Sequence, residues 1–175
     1  RKIFKENNFD YIFHLASVNK NYDSNYSPIE IFETNIKGTY NILECCRYLC
    51  GSPPKVIILS SREIYPEVNY TKDESSNQQS YHPYEASKRS ILLICQSFVK
   101  TYSMDIKILI LSNVYGGGDF NWNRIIPGTI KNIINDKNPT LRSDGLIKRN
   151  YIYVRDIISA IKYITFVKGP NNNLS

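Results

Sequence analysis

A doubly wound α/β sheet is the fold this chain predicts, and three observations predict it. Three short apolar runs alternate with two long stretches of helical spacing. The runs are nearly unbroken and rich in β-branched residues, which fits strands covered on both faces of a parallel sheet. Each run also ends in polar residues or glycine at its carboxyl side, where open α/β sheets bind ligands.

The first strand is expected at residues 11–16, Tyr-Ile-Phe-His-Leu-Ala. A helix follows over residues 29–48, because Ile31, Phe32, Ile36, Tyr40 and Leu43 fall on one helical face. Gly51-Ser52-Pro53-Pro54 stops it, and residues 56–60 supply the second strand. Residues 73–80 read as a polar loop. The next helix spans residues 83–102, with Pro83 in the first turn, where its missing N–H costs nothing. Ile91, Leu92, Cys95, Phe98, Val99 and Tyr102 make its apolar face. Residues 106–111 form the third strand. A short helix then carries Ile126, Ile130, Ile133 and Ile134 and closes at Asn138-Pro139. The last helix runs from Asp156 to about residue 166 and ends at Gly169-Pro170.

Composition narrows the function classes. Hydrophobic residues are 42% of the 175-residue chain and charged residues 22%, enough to bury a core and too apolar for disorder. No apolar run nears the ~20 residues that cross a bilayer, and no secretory leader is visible. A cytoplasmic protein without a membrane partner is therefore expected. The chain opens in Arg1-Lys2-Ile3-Phe4 without Met, which reads as the interior of a longer protein. The net charge of +6 raises the question of nucleic acid, but the basic residues are scattered, as on solvated faces. No nucleic-acid partner is expected. Cys45, Cys46 and Cys50 share a helical pattern and Cys95 sits alone on the next helix, so all four read as reduced thiols packed as small hydrophobes. With two histidines in the chain no metal site is expected. His14 reads as a packed core histidine and His82 as a loop residue.

The chemistry concentrates on Tyr84-Glu85-Ala86-Ser87-Lys88. A Tyr and a Lys four apart share a helix face, and the ammonium lowers the phenol's pKa so that it can accept a proton. The spacing alone is weak, since an aromatic beside a surface lysine would look the same. Its setting strengthens it. The second strand ends in Ser60-Ser61-Arg62-Glu63-Ile64-Tyr65, the first in His14-Leu15-Ala16-Ser17, and the third in Ser112-Asn113-Val114-Tyr115-Gly116-Gly117-Gly118-Asp119.

With these segments in order, the chain resembles the NAD-dependent epimerase/dehydratase family, extended short-chain dehydrogenases that act on nucleoside-diphosphate sugars. The family's H-L-A strand end matches His14 to Ala16, and its N-x-x-G-T helix matches Asn35 to Thr39. Ser60 to Tyr65 match S-S-x-x-x-Y, Pro83 to Lys88 match P-Y-x-x-S-K, and Asn113 to Gly116 match N-V-Y-G. Arg149-Asn150-Tyr151-Ile152-Tyr153-Val154-Arg155-Asp156 is similar to the family's R-D-Y-x-Y-V-x-D, with Asn150 for the first aspartate. The glycines at 116–118 and the Asn123 to Pro127 segment look most like CDP-glucose 4,6-dehydratases, and Phe32 to Ile36 like dTDP-glucose 4,6-dehydratases.

The resemblance implies a partial Rossmann-like fold with the beginning of a small substrate-binding lobe. Residues 1–123 would be the later part of the NAD-binding domain. Residues 124–175 would start the substrate region and return to the Rossmann core. It implies NAD as cofactor, a nucleoside-diphosphate sugar as substrate, and a homodimer at full length. Tyr84 would be the base, Lys88 its partner and a ribose ligand, and Ser61 the group that orients the reacting hydroxyl. Leu15, Ala16, Ser17, Asn35 and Ser60, with Tyr84 and Lys88, would line the cofactor. Asn113, Arg124 and Arg149 would hold the substrate, the arginine fork suiting diphosphate oxygens. For each of these a bland alternative exists: a turn serine at 61, a helix cap at Asn35, surface arginines at 124 and 149.

Two reactions fit, 4,6-dehydration first and 4-epimerisation second. Dehydration needs Glu63 as the base at C5, against a solvated turn glutamate. Arg62 stands where CDP- and dTDP-glucose dehydratases keep an acid, and a guanidinium does not donate a proton. A non-catalytic nucleotide-sugar-binding relative is a third reading. The glycine-rich phosphate loop of such folds is not in these residues, and Gly116–Gly118 does not replace it because no helix opens cleanly there. Roughly two βαβ units of about 30 residues are expected upstream, so the 175 residues alone are expected to be inactive.

Overall fold

Unbroken apolar runs hide both faces of a strand, and hydrogen bonding then joins them edge to edge. In the computed structural model, which describes residues 1–18, 27–65, 67–68, 71–72, 82–141 and 143–166, the three runs pair as a parallel sheet. Its order is β1 (Tyr11–His14), β2 (Lys55–Ser61), β5 (Ile106–Leu111). The register is set by Ile12 opposite Val56 and Ile58 opposite Ile108. Crossovers by α3 (Gly38–Leu49) and α4 (Pro83–Tyr102) make these βαβ units. The fold class is α/β of the Rossmann-like kind, as the sequence predicts.

Alternation along the strands decides what lies where. Val56, Ile58 and Ile106 point to one face and pack with Leu43 and Cys46 of α3 and Ile91 and Cys95 of α4. Each such buried aliphatic side chain contributes about 1.5–3 kcal/mol. On the opposite face Ile57 is fully buried, while Tyr11 and Phe13 of the edge strand are 39% and 46% exposed. Among the described residues, that face at β1 meets the end of α6 (Val154–Phe166): the Phe166 ring lies edge-on to Tyr11 at 5.5 Å, and Lys55 Nζ donates to the Thr165 carbonyl at 3.2 Å. The expectation of two covered faces therefore holds for β2 and not for β1. Apolar spacing shows which side chains avoid water but not which strand sits at an edge.

Other boundaries also moved. β1 ends at His14, so Leu15, Ala16 and Ser17 follow it as irregular chain. The helix expected over residues 29–48 is broken into α2 (Pro28–Ile31), a π-helical turn (Phe32–Lys37) and α3. Gly38 N–H reaches back five residues to the Glu33 carbonyl, which is the π pattern. Cys50 lies past the end of α3 in extended backbone and is not helical, although all four cysteines are buried as expected. His82 is the N-cap of α4, accepting from Tyr84 N–H at its Nδ1 (3.3 Å), and so is more than a loop residue. α6 starts two residues earlier than expected. Short elements without a clear sequence signal are α1 (Lys2–Glu6) and the antiparallel pair β3 (Glu67–Val68) and β4 (Thr71–Lys72).

The chain divides into two compact units: Arg1–Leu111 with the chain from Ile164 onward, and Ser112–Tyr163. The second holds α5 (Ile125–Ile134) and a parallel pair, β6 (Asn113–Tyr115) with β7 (Tyr151–Tyr153). The polar loop expected at 73–80 and the Gly169-Pro170 stop lie outside the described residues. No helix among the described residues is long and apolar enough to cross a membrane.

Candidate active site

α4 positions the Tyr–Lys pair. Pro83 fixes the first turn, His82 caps it, and the left-handed Ser103 (φ 54°) ends it with a bond from its N–H to the Val99 carbonyl. Tyr84 and Lys88 are each only 5% exposed. Lys88 Nζ stands 5.7 Å from the centre of the Tyr84 ring. Burial pushes the Lys88 pKa down to about 8, because removing water penalises the charged form. A lysine so placed needs an anionic or polar partner to hold its charge.

Asn35 ties this pair to the end of β1. It is fully buried in the π turn. Its Oδ1 accepts from Val18 N–H at 2.8 Å and from Ser17 Oγ at 3.1 Å. Its Nδ2 donates to the Val18 carbonyl at 3.1 Å and to Ser87 Oγ at 3.0 Å. Ser87 in turn donates to the Tyr84 carbonyl at 2.7 Å. Asn35 is thus a clamp between the segment after β1 and α4, rather than a helix cap. Ser87, inside the P-Y-x-x-S-K match, thereby joins Asn35 to the first turn of α4.

β2 brings the two serines to its carboxyl end. Ser61 is its last residue, and the 3₁₀ turn after it (Arg62–Ile64) packs against α4. Ser60 shares the strand face of Val56 and Ile58, the one covered by α3 and α4. Its hydroxyl is buried and meets no hydrogen-bond partner among the described residues. A buried hydroxyl left unpaired costs about 1–3 kcal/mol, so the end of β2 suits a ligand or water that would satisfy it. Glu63 belongs to the 3₁₀ turn, and its side chain lies outside what is described.

The second unit carries a cavity of about 520 Å³ lined by Trp122, Arg124, Lys131, Arg149 and Tyr151 among others. Arg124 is held by Asp119 at 3.0 Å, and Asp119 also accepts from Asn121 N–H. Lys131 Nζ stands 4.8 Å from the Trp122 ring centre, a cation–π contact. Gly128 lets this happen, since a Cβ there would fall 2.5 Å from the Trp122 carbonyl oxygen. Arg124 and Arg149 are therefore brought to one cavity. Asn113 lies on β6 opposite Tyr151, and its N–H donates to the Asn150 carbonyl at 3.2 Å. Trp122 and Lys131 went unnoticed in the sequence because no motif contains them.

Residues 1–171 match the profile of the NAD dependent epimerase/dehydratase family. The chain belongs to this family. Among family relatives, a dTDP-D-glucose 4,6-dehydratase of Dictyostelium discoideum is 32% identical, over 98% of this chain and 42% of its own length. A solved UDP-N-acetylglucosamine 4-epimerase from Methanobrevibacter ruminantium superposes with a TM-score of 0.80 at 30% identity, covering 94% of this chain and 53% of its own. The dTDP-glucose 4,6-dehydratase DesIV of Streptomyces venezuelae, solved with NAD and TYD bound, gives a TM-score of 0.77 at 26% identity, over 89% of this chain and 48% of its own. The chain spans about half the length of the relatives it matches.

Proposed function

We propose that the full-length protein is an NAD-dependent nucleoside-diphosphate-sugar 4,6-dehydratase. The observation that carries this is the buried Tyr84–Lys88 pair on one helix face, clamped through Ser87 and Asn35 to the end of β1. Dehydratases among the relatives, from Dictyostelium to Haemophilus influenzae, support the reaction.

NAD, when bound, supplies the acceptor for the C4 hydride. The residues of this chain fit its nicotinamide-ribose end: a buried ammonium at Lys88, an unspent hydroxyl at Ser60, and Leu15, Ala16 and Ser17 beside the Asn35 clamp. Tyr84 accepts the proton of the sugar's 4-hydroxyl as C4 becomes a ketone. Lys88 stabilises the phenolate and holds the ribose, and Ser61 orients the hydroxyl. The 4-ketone acidifies the C5 hydrogen; Glu63 removes that proton and passes it to the departing C6 hydroxyl, which leaves as water. The hydride taken from C4 then returns to C6 as C5 takes up a proton from solvent, giving the 4-keto-6-deoxy sugar. Arg124 and Arg149, at the cavity of the second unit, bind the diphosphate, and Asn113 contacts the substrate nearby. Residues 1–123 are assigned to the NAD-binding domain and 124–175 to the substrate region and the return to it. The full-length protein is read as a cytoplasmic homodimer, the buried, unbridged cysteines suiting a reducing compartment.

A second reading, 4-epimerisation, is favoured by Arg62 in place of an acid and by the likeness to the Methanobrevibacter epimerase. In the full-length protein, Tyr84→Phe should fold normally and lose C4 oxidation by about a hundredfold or more. Turnover of dTDP-, UDP-, CDP- and GDP-hexoses, followed by product mass and NADH absorbance, measures it. Turnover within tenfold of wild type would remove Tyr84 from the reaction.

A further inference from the structure

The face of β1 that meets α3 carries a polar residue with no role in the reaction described. His14 Nε2 stands 3.0 Å from Thr39 Oγ1. Thr39 has one hydroxyl hydrogen, and it is given to the Asn35 carbonyl at 2.6 Å. His14 must therefore be the donor in the first bond, with its proton on Nε2. Burial, and then the charge of Lys88, lower the His14 pKa, which disfavours the charged ring. The bonds continue from the Asn35 side chain to Ser87 and from Ser87 to the Tyr84 carbonyl. Thr39, Asn35 and Ser87 are at most 1% exposed. Water cannot replace a lost member of such a run without repacking.

We propose that His14 is a positioning residue: through Thr39 it fixes the π turn at Asn35, and thereby the first turn of α4 that carries Tyr84. The π turn is the reason such a brace is needed. Its wider winding moves the N–H groups away from the carbonyls they would meet in an α-helix. The Asn35 carbonyl accepts from the Thr39 hydroxyl, which His14 orients. A phenol shifted by a fraction of an ångström loses alignment with the hydroxyl it serves, while remote substrate contacts are untouched. The signature is a fall in kcat without a rise in KM.

This inference rests on Tyr84 as the catalytic base, and the test separates the two. In the full-length protein Thr39→Val and His14→Leu are compared with Thr39→Ser and with Tyr84→Phe, by kcat, KM for the nucleotide sugar and melting temperature. The expected result is a fall in kcat of about tenfold or more for Thr39→Val and His14→Leu, with KM within about twofold. Thr39→Ser, which keeps the hydroxyl, should return to wild-type kcat. If Thr39→Val does not fold, His14→Leu and Thr39→Ser decide the matter by the same criteria. Wild-type kcat in His14→Leu, or an equal loss in Thr39→Ser, would overturn the brace. A fully active Tyr84→Phe would overturn the reading beneath it; an inactive Tyr84→Phe beside unaffected His14 and Thr39 variants would sink the brace alone.

Discussion

Lys88 is a charge kept almost without water, and its energetics can be separated from its chemistry. Its pKa is depressed from 10.5 to about 8 by burial. Between those values the unfolded chain keeps a proton that the folded chain has released, so stability rises with pH across that window. Below it, the full cost of burying the charge is present. In the cofactor-free protein, Lys88→Met should then be more stable than wild type at pH 7 by about 1–3 kcal/mol, lose that pH slope and be inactive. Urea unfolding at pH 7 and pH 10 measures both, and a less stable variant at pH 7 would contradict it. Glu63 bears on the choice of reaction. Glu63→Gln should leave C4 oxidation intact and stop formation of the 4-keto-6-deoxy sugar, because an amide cannot accept the C5 proton. Deuterium exchange at C5 with mass analysis tests this; wild-type protein that oxidises C4 but never exchanges C5 would leave the epimerase reading in its place.

At the scale of elements, two helices are shaped by what they must hold. The stretch after β1 keeps helical apolar spacing yet winds as a π turn, in which Asn35 spends its side chain on Ser17, Val18 and Ser87. In α5, Gly128 is a poor helix former kept where the Trp122 carbonyl passes close by. Alanine there gains about 1 kcal/mol of helix propensity but places a methyl against backbone that cannot swing aside. Gly128→Ala should therefore destabilise the protein by about 1–3 kcal/mol and raise KM for the nucleotide sugar as Trp122 shifts. Thermal melts and steady-state kinetics check it, and a variant at least as stable as wild type would show that the Trp122 turn yields freely.

For the whole molecule, the three-stranded parallel sheet presents the carboxyl ends of β1 and β2 to the Tyr–Lys helix. These residues hold no glycine-rich turn that opens a helix, the device that gathers pyrophosphate oxygens on backbone N–H groups. A polypeptide of residues 1–175 should accordingly bind NAD more weakly than about 1 mM. Calorimetry reading a micromolar dissociation constant would point to a pyrophosphate site elsewhere in the chain.

Much of this was legible in order along the chain. Period and apolar content located β2, α4 and β5 within a residue, since buried strands and amphipathic helices leave their spacing in the sequence whatever surrounds them. The Tyr84–Lys88 face followed from four-residue spacing alone. The half-exposed edge at β1, the π turn, the β6–β7 pair and the cavity at Trp122 did not. Each depends on which distant residues meet: His14 on Thr39, Asn35 on Ser87, Gly128 on the Trp122 carbonyl. Local sequence determines which side chains leave water and which backbone shapes are available. Only tertiary packing decides which polar groups are left to satisfy one another, and the candidate site is built from those bonds.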